Sequence, residues 1–334
     1  MDALADANYW YLAPAIVLYQ VSVLIRTLRW QSLLKPMRRV KVARLYPVVV
    51  VGYMANNLLP MRIGEFVRSY YVGEREGVSK TSALVTIIVE RLLDAVVLLL
   101  FIAVIAIFVP LLVLAEGFGE RSSVPWPFLA AAVSLPFLMA FLALVFAAYT
   151  PSRAEALLLF ISRPLPGVAR ARLRPLIDAL LHGLQSLGRP RTVAVLFLLS
   201  IPIWLFEAGM FYVLGYSFDL QNVYDSPLEM AVAMVLVTAI ANIGSSVPAA
   251  PGGIGLFELI ARETLVLLPL AAVDRSLATA YVTVVHMVLL LPMIALGQAF
   301  LLNESITLRG LWRSGRSSLD DAVAPTTRED EVRE

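Results

Sequence analysis

Apolar stretches of about 20 residues recur along the chain, near 9–25, 83–114, 128–149, 192–215 and 276–302. Each is long enough, as a helix, to cross about 30 Å of hydrocarbon. That recurrence restricts the chain to an all-α, polytopic membrane fold, because a lipid-exposed backbone must satisfy its own hydrogen bonds. Composition agrees: 59% of the 334 residues are hydrophobic, 16% are charged, and the mean hydropathy is +0.79. The first stretch ends in Arg26 and is preceded by Asp2 and Asp6, which is a retained span and not a cleaved leader. The chain has no cysteine, which excludes disulfides and thiolate chemistry. A net charge of +2 gives no reason to expect nucleic acid.

Basic residues give the orientation. Residues 26–44 hold seven (Arg26, Arg29, Lys35, Arg38, Arg39, Lys41, Arg44) and no acid, and 150–191 hold seven arginines. Both are expected in the cytoplasm, whereas 115–127 and 216–227, richer in acids, are expected outside. The N-terminus is then outside and the C-terminus inside the cell membrane. Parity requires the region 45–72 to enter and return, and 228–270 to do the same from the opposite face.

Each of these regions contains a break. The first is Asn56-Asn57 followed by Pro60, Arg62, Ile63, Gly64, Glu65 and Phe66. The second is Asn242 followed by Pro248, Pro251, Gly252, Gly253, Ile254, Gly255, Phe257 and Glu258. Both read P-x-x-I-G with a following Phe and a Glu nearby. Two similar broken hairpins in opposite orientation form the inverted-repeat pattern of secondary transporters. The expected architecture is a bundle of about seven or eight membrane elements within a single domain at 1–302. The hairpin 228–270 is read as either fully spanning or re-entrant. Residues 169–188 read as an amphipathic helix on the cytoplasmic face, and 303–334 as a polar, disordered tail.

A charge near the bilayer centre costs about 2.5–3.5 kcal/mol, so each intramembrane one implies a partner or a wet cavity. The densest group is Glu90, Arg91 and Asp94. Two readings stand: an internal Arg–carboxylate lock, or a charged wall facing Arg62, Glu65 and Arg68 across a hydrated cavity. Glu207 lies alone in its span and must be paired or protonated. Glu258, Arg262 and Glu263 are a counterpart to Glu65 and Arg68 beyond the second break. His286 reads as a hydrogen-bonded packing residue. Tyr70, Tyr71 and the tryptophans read as interfacial belt residues.

At these motifs the chain resembles the lysylphosphatidylglycerol synthase transmembrane-region family, flippase-like proteins that include the flippase half of the multiple peptide resistance factor. The residues carrying the resemblance are Arg26-x-x-Arg29-Trp30, Asn56, Pro60-x-Arg62-x-Gly64-Glu65-x-x-Arg68, Glu90-Arg91-x-x-Asp94, and Pro251-Gly252-Gly253-Ile254-Gly255 with Glu258. The resemblance implies transport of a phospholipid or lipid-linked headgroup. Relatives are associated with aminoacylated phosphatidylglycerol, polyprenyl-linked sugars or hopanoids, so the substrate itself stays open. The short polar tail stands where the resistance factor continues into an aminoacyltransferase, which removes the expectation of lipid synthesis by this chain. A membrane-embedded transferase, with Glu90 and Asp94 as acid and base, is the alternative, as is a non-catalytic partner of one. The membrane part has no H-E-x-x-H and no D-x-D pair, and the chain has no phosphate loop; metal, cofactor and ATP hydrolysis are not expected. Membrane lipids are the expected partners, with ion coupling and oligomeric state open.

Overall fold

The computed structural model describes residues 2–60, 63–111, 116–117, 119, 125–163, 174, 177–178, 180–181, 184, 188–246 and 250–303. Arg62, Pro248, most of 169–188 and the tail after Asn303 lie outside the described residues.

Among the described residues the secondary structure is helical throughout. The helices are α1 (Asp2–Ala5), α2 (Leu12–Leu34), α3 (Val42–Leu58), α4 (Gly64–Glu76), α5 (Lys80–Ile105), α6 (Trp126–Tyr149), α7 (Pro151–Ile161), α8 (Pro190–Ser217), α9 (Pro227–Gly244), α10 (Leu256–Leu267) and α11 (Arg275–Asn303). Local chemistry sets several boundaries. Ser79 Oγ accepts from the Ser82 N–H at the start of α5, and Ser226 Oγ accepts from Glu229 N–H at the start of α9. Asp274 Oδ1 accepts from the N–H groups of Ser276 and Leu277 at the start of α11. Gly77, at φ 64°, ends α4 in the left-handed conformation.

Among the described residues, four helices are long and apolar enough to cross a bilayer: Tyr9–Leu34, Arg191–Ser217, Pro227–Gly244 and Arg275–Asn303. The protein is an all-α polytopic membrane protein. Its outer surface is apolar, as a lipid-facing surface must be: Leu135, Met139, Leu142 and Phe146 stand exposed at helical spacing along α6. Asn8 N–H donates to Ser217 O and Ser217 Oγ donates to Asn8 O, both at 2.9 Å. These bonds fix α2 and α8 as antiparallel neighbours.

The first span needs correction. Its helix does not stop before Arg26 but runs to Leu34, and Arg26 and Arg29 are 5% and 1% exposed. Carboxylates on other helices neutralise them, so two of the seven basic residues assigned to the connector belong to the interior. A second difference is α7, in a stretch read as connector, which begins at Pro151 and exposes Leu157, Phe160 and Ile161. The tryptophan reading also changes, because Trp30 and Trp204 are buried, at 0% and 4% exposure. Their indole N–H groups have internal acceptors, Thr86 Oγ1 at 3.0 Å and Asp94 Oδ1 at 3.2 Å. Tyr71 is likewise buried.

Helices α3 and α4 form the first hairpin. Arg44 Nη1 lies 3.6 Å from Glu76 Oε2, so α4 returns to the end from which α3 started. The two backbones touch: a Cβ on Gly64 would collide with the Gly52 carbonyl and with Asn56. Only glycine permits that approach. Helices α9 and α10 form the second hairpin, with Ile260 packed into the space that Gly244 leaves.

Candidate functional site

Four helices contribute one cluster of eight charged side chains. From α2, Arg29 donates from Nη1 to Asp94 Oδ1 at 2.6 Å and from Nη2 to Asp94 Oδ2 at 3.1 Å, a two-pronged grip on the α5 carboxylate. Arg29 Nη1 also reaches Ser200 Oγ at 2.6 Å, and Arg29 Nε lies 3.7 Å from Glu90 Oε1. One turn earlier, Arg26 bridges α5 and α8. Its Nη2 donates to Glu207 Oε2 at 2.7 Å, its Nη1 to Asp94 Oδ2 at 3.4 Å and its Nε to Ser22 Oγ at 3.4 Å. From α4, Arg68 Nη1 meets Glu90 Oε2 at 2.8 Å and Glu65 Oε1 meets Arg91 Nε at 3.3 Å. Arg91 Nη2 also donates to Tyr53 OH at 3.4 Å.

Four arginines thus face four carboxylates, and the formal charges cancel. Aromatic faces complete the shell. The Arg68 guanidinium carbon lies 3.7 Å from the Trp30 ring centroid and that of Arg26 4.4 Å from Trp204. Two Arg68 nitrogens, Nε and Nη2, have no acceptor among the described residues, and the indole face is their compensation. Of the two readings of Glu90, Arg91 and Asp94, direct pairing describes Glu90 and Asp94, which are 1% and 4% exposed. The side chains of Arg91 and Glu65 keep more surface, at 27% and 19%.

Beside this cluster lies a cavity of about 160 Å³. Arg26, Arg91 and Glu207 form its charged wall; Tyr19, Tyr53 and Trp204 add aromatic surface. Both hairpin breaks reach it: Asn56, Asn57 and Leu59 from the first, Asn242, Ser245, Gly252 and Gly253 from the second. The breaks touch there, since a Cβ on Gly252 would stand 3.3 Å from the Asn57 carbonyl oxygen.

Side chains hold each break in place. Asn56 Oδ1 accepts from the Gly64 N–H at 2.8 Å, spanning the first. In the second, Gly252, Gly253 and Gly255 take φ of 64°, 74° and 89°, a path that L side chains resist. Glu258 Oε2 accepts from Gly255 N–H at 2.7 Å and caps α10. His286, from α11, contacts both Glu258 and the Gly252 carbonyl. Asn242 ties the second hairpin to the cluster by donating from Nδ2 to Glu207 Oε1 at 3.1 Å.

The expected site residues therefore divide. Asn56, Asn57, Arg91, Glu207, Asn242, Gly252 and Gly253 share the cavity. Glu65, Arg68 and Gly64 line an adjoining void of about 10 Å³, room for a single water. Arg262 does not join the cluster; it pairs with Glu263 at 2.9 Å, which also binds Arg275 at 3.0 Å. Pro60 is exposed at the surface of the first break. Several central residues escaped sequence reasoning: Arg26 and Arg29 as interior charges, and Tyr19, Tyr53, Trp30 and Trp204 around them. One signal existed for the arginines, since positions 26 and 29 share a helix face.

The model of the lysylphosphatidylglycerol synthase TM region matches residues 1–297 of the chain. A UPF0104 membrane protein of Methanothermobacter thermautotrophicus is 28% identical over 308 residues, 89% of this chain and 86% of that protein. A second UPF0104 membrane protein of the same organism is 24% identical, covering 76% of this chain and 72% of that protein. The glycosyltransferase AglD of Haloferax volcanii is 22% identical over 86% of this chain but only 48% of its own length. No solved structure matches the chain.

Proposed function

The chain belongs to the lysylphosphatidylglycerol synthase TM-region family, and on that premise we propose that it moves a phospholipid or a lipid-linked polar headgroup between leaflets, without hydrolysing ATP. The observation that carries this reading is the meeting of two helix breaks on one polar cavity. A headgroup crossing hydrocarbon needs polar partners along the way, and irregular backbone is tolerated at membrane depth where it lines a cavity. A volume near 160 Å³ suits one small headgroup, with the tails left in lipid. Asn56, Asn57, Asn242 and the accessible edge of Arg91 are the groups that meet it. Arg26 and Glu207 complete the wall, and Arg68, Glu90 and Asp94 hold it from behind.

The proposed architecture has seven or eight membrane elements and two hairpins inserted from opposite faces. Their proportions support it: 17 and 13 residues in α3 and α4, 18 and 12 in α9 and α10. The shorter arms span about 20 and 18 Å, well below the bilayer core. The pairing of Asn8 with Ser217 supports the proposed outside N-terminus, because residues 216–227 carry acids and no basic residue. The C-terminus is then cytoplasmic.

Purified protein reconstituted into vesicles tests the function. Labelled lipids of several headgroups should lose their protection from an outer-face quencher faster than in protein-free vesicles. Unchanged protection for every headgroup refutes translocation. A new lipid product formed by the protein alone, with no crossing, favours the membrane transferase.

A further inference from the structure

His286 lies near the middle of α11, about 17 Å from the Arg275 end and 26 Å from the Asn303 end at 1.5 Å per residue. Its imidazole is buried against the Phe257 ring, with centroids 4.4 Å apart. Both ring nitrogens have partners. Nε2 is 3.0 Å from the Gly252 carbonyl oxygen, and Nδ1 is 2.6 Å from Glu258 Oε1.

Proton counting constrains this arrangement. A carbonyl oxygen only accepts, so Nε2 carries a hydrogen. The contact between Nδ1 and Oε1 then needs a second proton, on the imidazole or on the carboxyl group. Without it the neutral ring has one N–H for two acceptors. Either Nδ1 faces the carboxylate lone pair to lone pair, or Nε2 faces the Gly252 carbonyl in the same way. Deprotonation therefore breaks one of the two contacts, whichever tautomer forms.

We propose that His286 and Glu258 form a binding site for a single proton, and that this proton latches the second break in the conformation described. The latch reaches the cavity directly. Gly252 lines it and lies against Asn57 of the first break, while the other oxygen of Glu258 caps α10 through Gly255. Loss of the proton frees the segment 250–255, whose three left-handed glycines are able to change path. Among the described residues, the other ionisable groups on the cavity are Tyr19 and Arg26 from α2, Tyr53 from α3, Arg91 from α5 and Glu207 from α8. The arginines and Glu207 are held in ion pairs with one another or with Glu65 and Asp94. Helix α9 and the residue that caps its C-terminus contribute the uncharged Asn242 and Ser245 to this cavity, and Arg262 and Glu263 of α10 pair with each other. The proton site stands on this geometry; only its coupling to lipid movement rests on the translocation reading.

The chain has two histidines, so His182→Gln leaves His286 as the only imidazole. In that full-length protein, labelled with 15N-histidine in lipid nanodiscs, the ring should lose one proton or change tautomer between about pH 5 and 9. Glu258→Gln should abolish the transition. Its amide nitrogen donates to Nδ1 and its amide oxygen accepts from Gly255, which preserves every contact around a permanently neutral ring. A single thiol at Ser245→Cys, on the cavity wall, reports opening. Dividing its alkylation rate with Glu258 intact by its rate in the Glu258→Gln background cancels thiol ionisation, and this ratio should rise about tenfold from low to high pH. Identical 15N behaviour with Glu258 intact and with Glu258→Gln, or a rate ratio constant across the range, overturns the latch. The titration with Glu258 intact decides by itself where Glu258→Gln does not fold: a His286 signal unchanged over the whole range also overturns it. Lipid flux with a silent His286 sinks the latch alone; a titrating His286 without flux sinks the translocation reading alone.

Discussion

Arg26 Nη2 stands 2.7 Å from Glu207 Oε2, and the two side chains are only 6% and 5% exposed. The pair joins α2 to α8 at the cavity wall, with both side chains largely shielded from solvent. Removing one partner of a buried pair costs about 3–5 kcal/mol, because the other charge stays behind uncompensated. Glu207→Gln is therefore expected to lower the thermal midpoint of the purified protein markedly. Arg26→Gln with Glu207→Gln should lose about 0.5–3 kcal/mol less than the two single losses combined, since the double variant leaves no orphan between them. Strict additivity would show that the contact carries no coupling. Asp94 keeps Arg29 in either case, so the remainder of the cluster stays paired.

Glu207 also illustrates how far the sequence could be read. One acid in an apolar span must have a counter-charge, and that inference requires no structure. Its partner was not legible, because Arg26 is 181 positions away and lies at the edge of the first apolar run. Charge at a span's end and charge in its interior look alike until the helix is known to continue. Trp204 was obscure for a similar reason. Aromatic side chains at a membrane interface and beneath a guanidinium have the same sequence signature, and only the Asp94 acceptor distinguishes them. The breaks were easier. Pro and Gly mark where a helix must stop, so the stretches from Pro60 to Gly64 and from Pro248 to Gly255 are legible as breaks in the sequence alone. That the two breaks meet on one cavity depends on long-range packing, which no local pattern encodes.

Glycine identity at position 64 should be strictly required. A methyl group there would overlap the Gly52 carbonyl and the Asn56 side chain that spans the break. Gly64→Ala is expected to destabilise the protein by about 1–3 kcal/mol, the usual cost of overpacking, and to push α3 and α4 apart. Gly209→Ala is the control, since its new methyl meets nothing nearer than Leu18 Cδ1 at 3.8 Å. Thermal melts in one detergent should separate the two variants clearly. Equal midpoints would mean that the hairpin backbones are not held in contact.

Membrane orientation is open to direct chemical test, helped by the absence of cysteine. Arg39 and Ser276 are exposed, at the turn before α3 and at the start of α11. The proposed topology places position 39 in the cytoplasm and position 276 outside. An impermeant maleimide added to intact cells should label Ser276→Cys and spare Arg39→Cys until the cells are opened. Labelling of Arg39→Cys alone reverses the orientation. Labelling of neither or both in intact cells removes the second hairpin's proposed return to the outer face.

Cavity volume should limit transport independently of the charged cluster. Asn57 lines the space where the breaks meet and is partly exposed, and its side chain takes no part in the ion pairs. Asn57→Phe places a ring in a space of about 160 Å³ and removes an amide from the polar path. The cluster of Arg26, Arg29, Glu90, Asp94 and Glu207 is left intact, so folding should suffer by no more than about 1–3 kcal/mol. Lipid movement in vesicles should fall about tenfold or more, a change of roughly 1.4 kcal/mol or greater in the barrier. Asn57→Ala, which enlarges the same space, should retain more flux than the phenylalanine variant. Equal rates for the two would place the route elsewhere on the protein, because a headgroup using this cavity cannot be indifferent to a ring inside it.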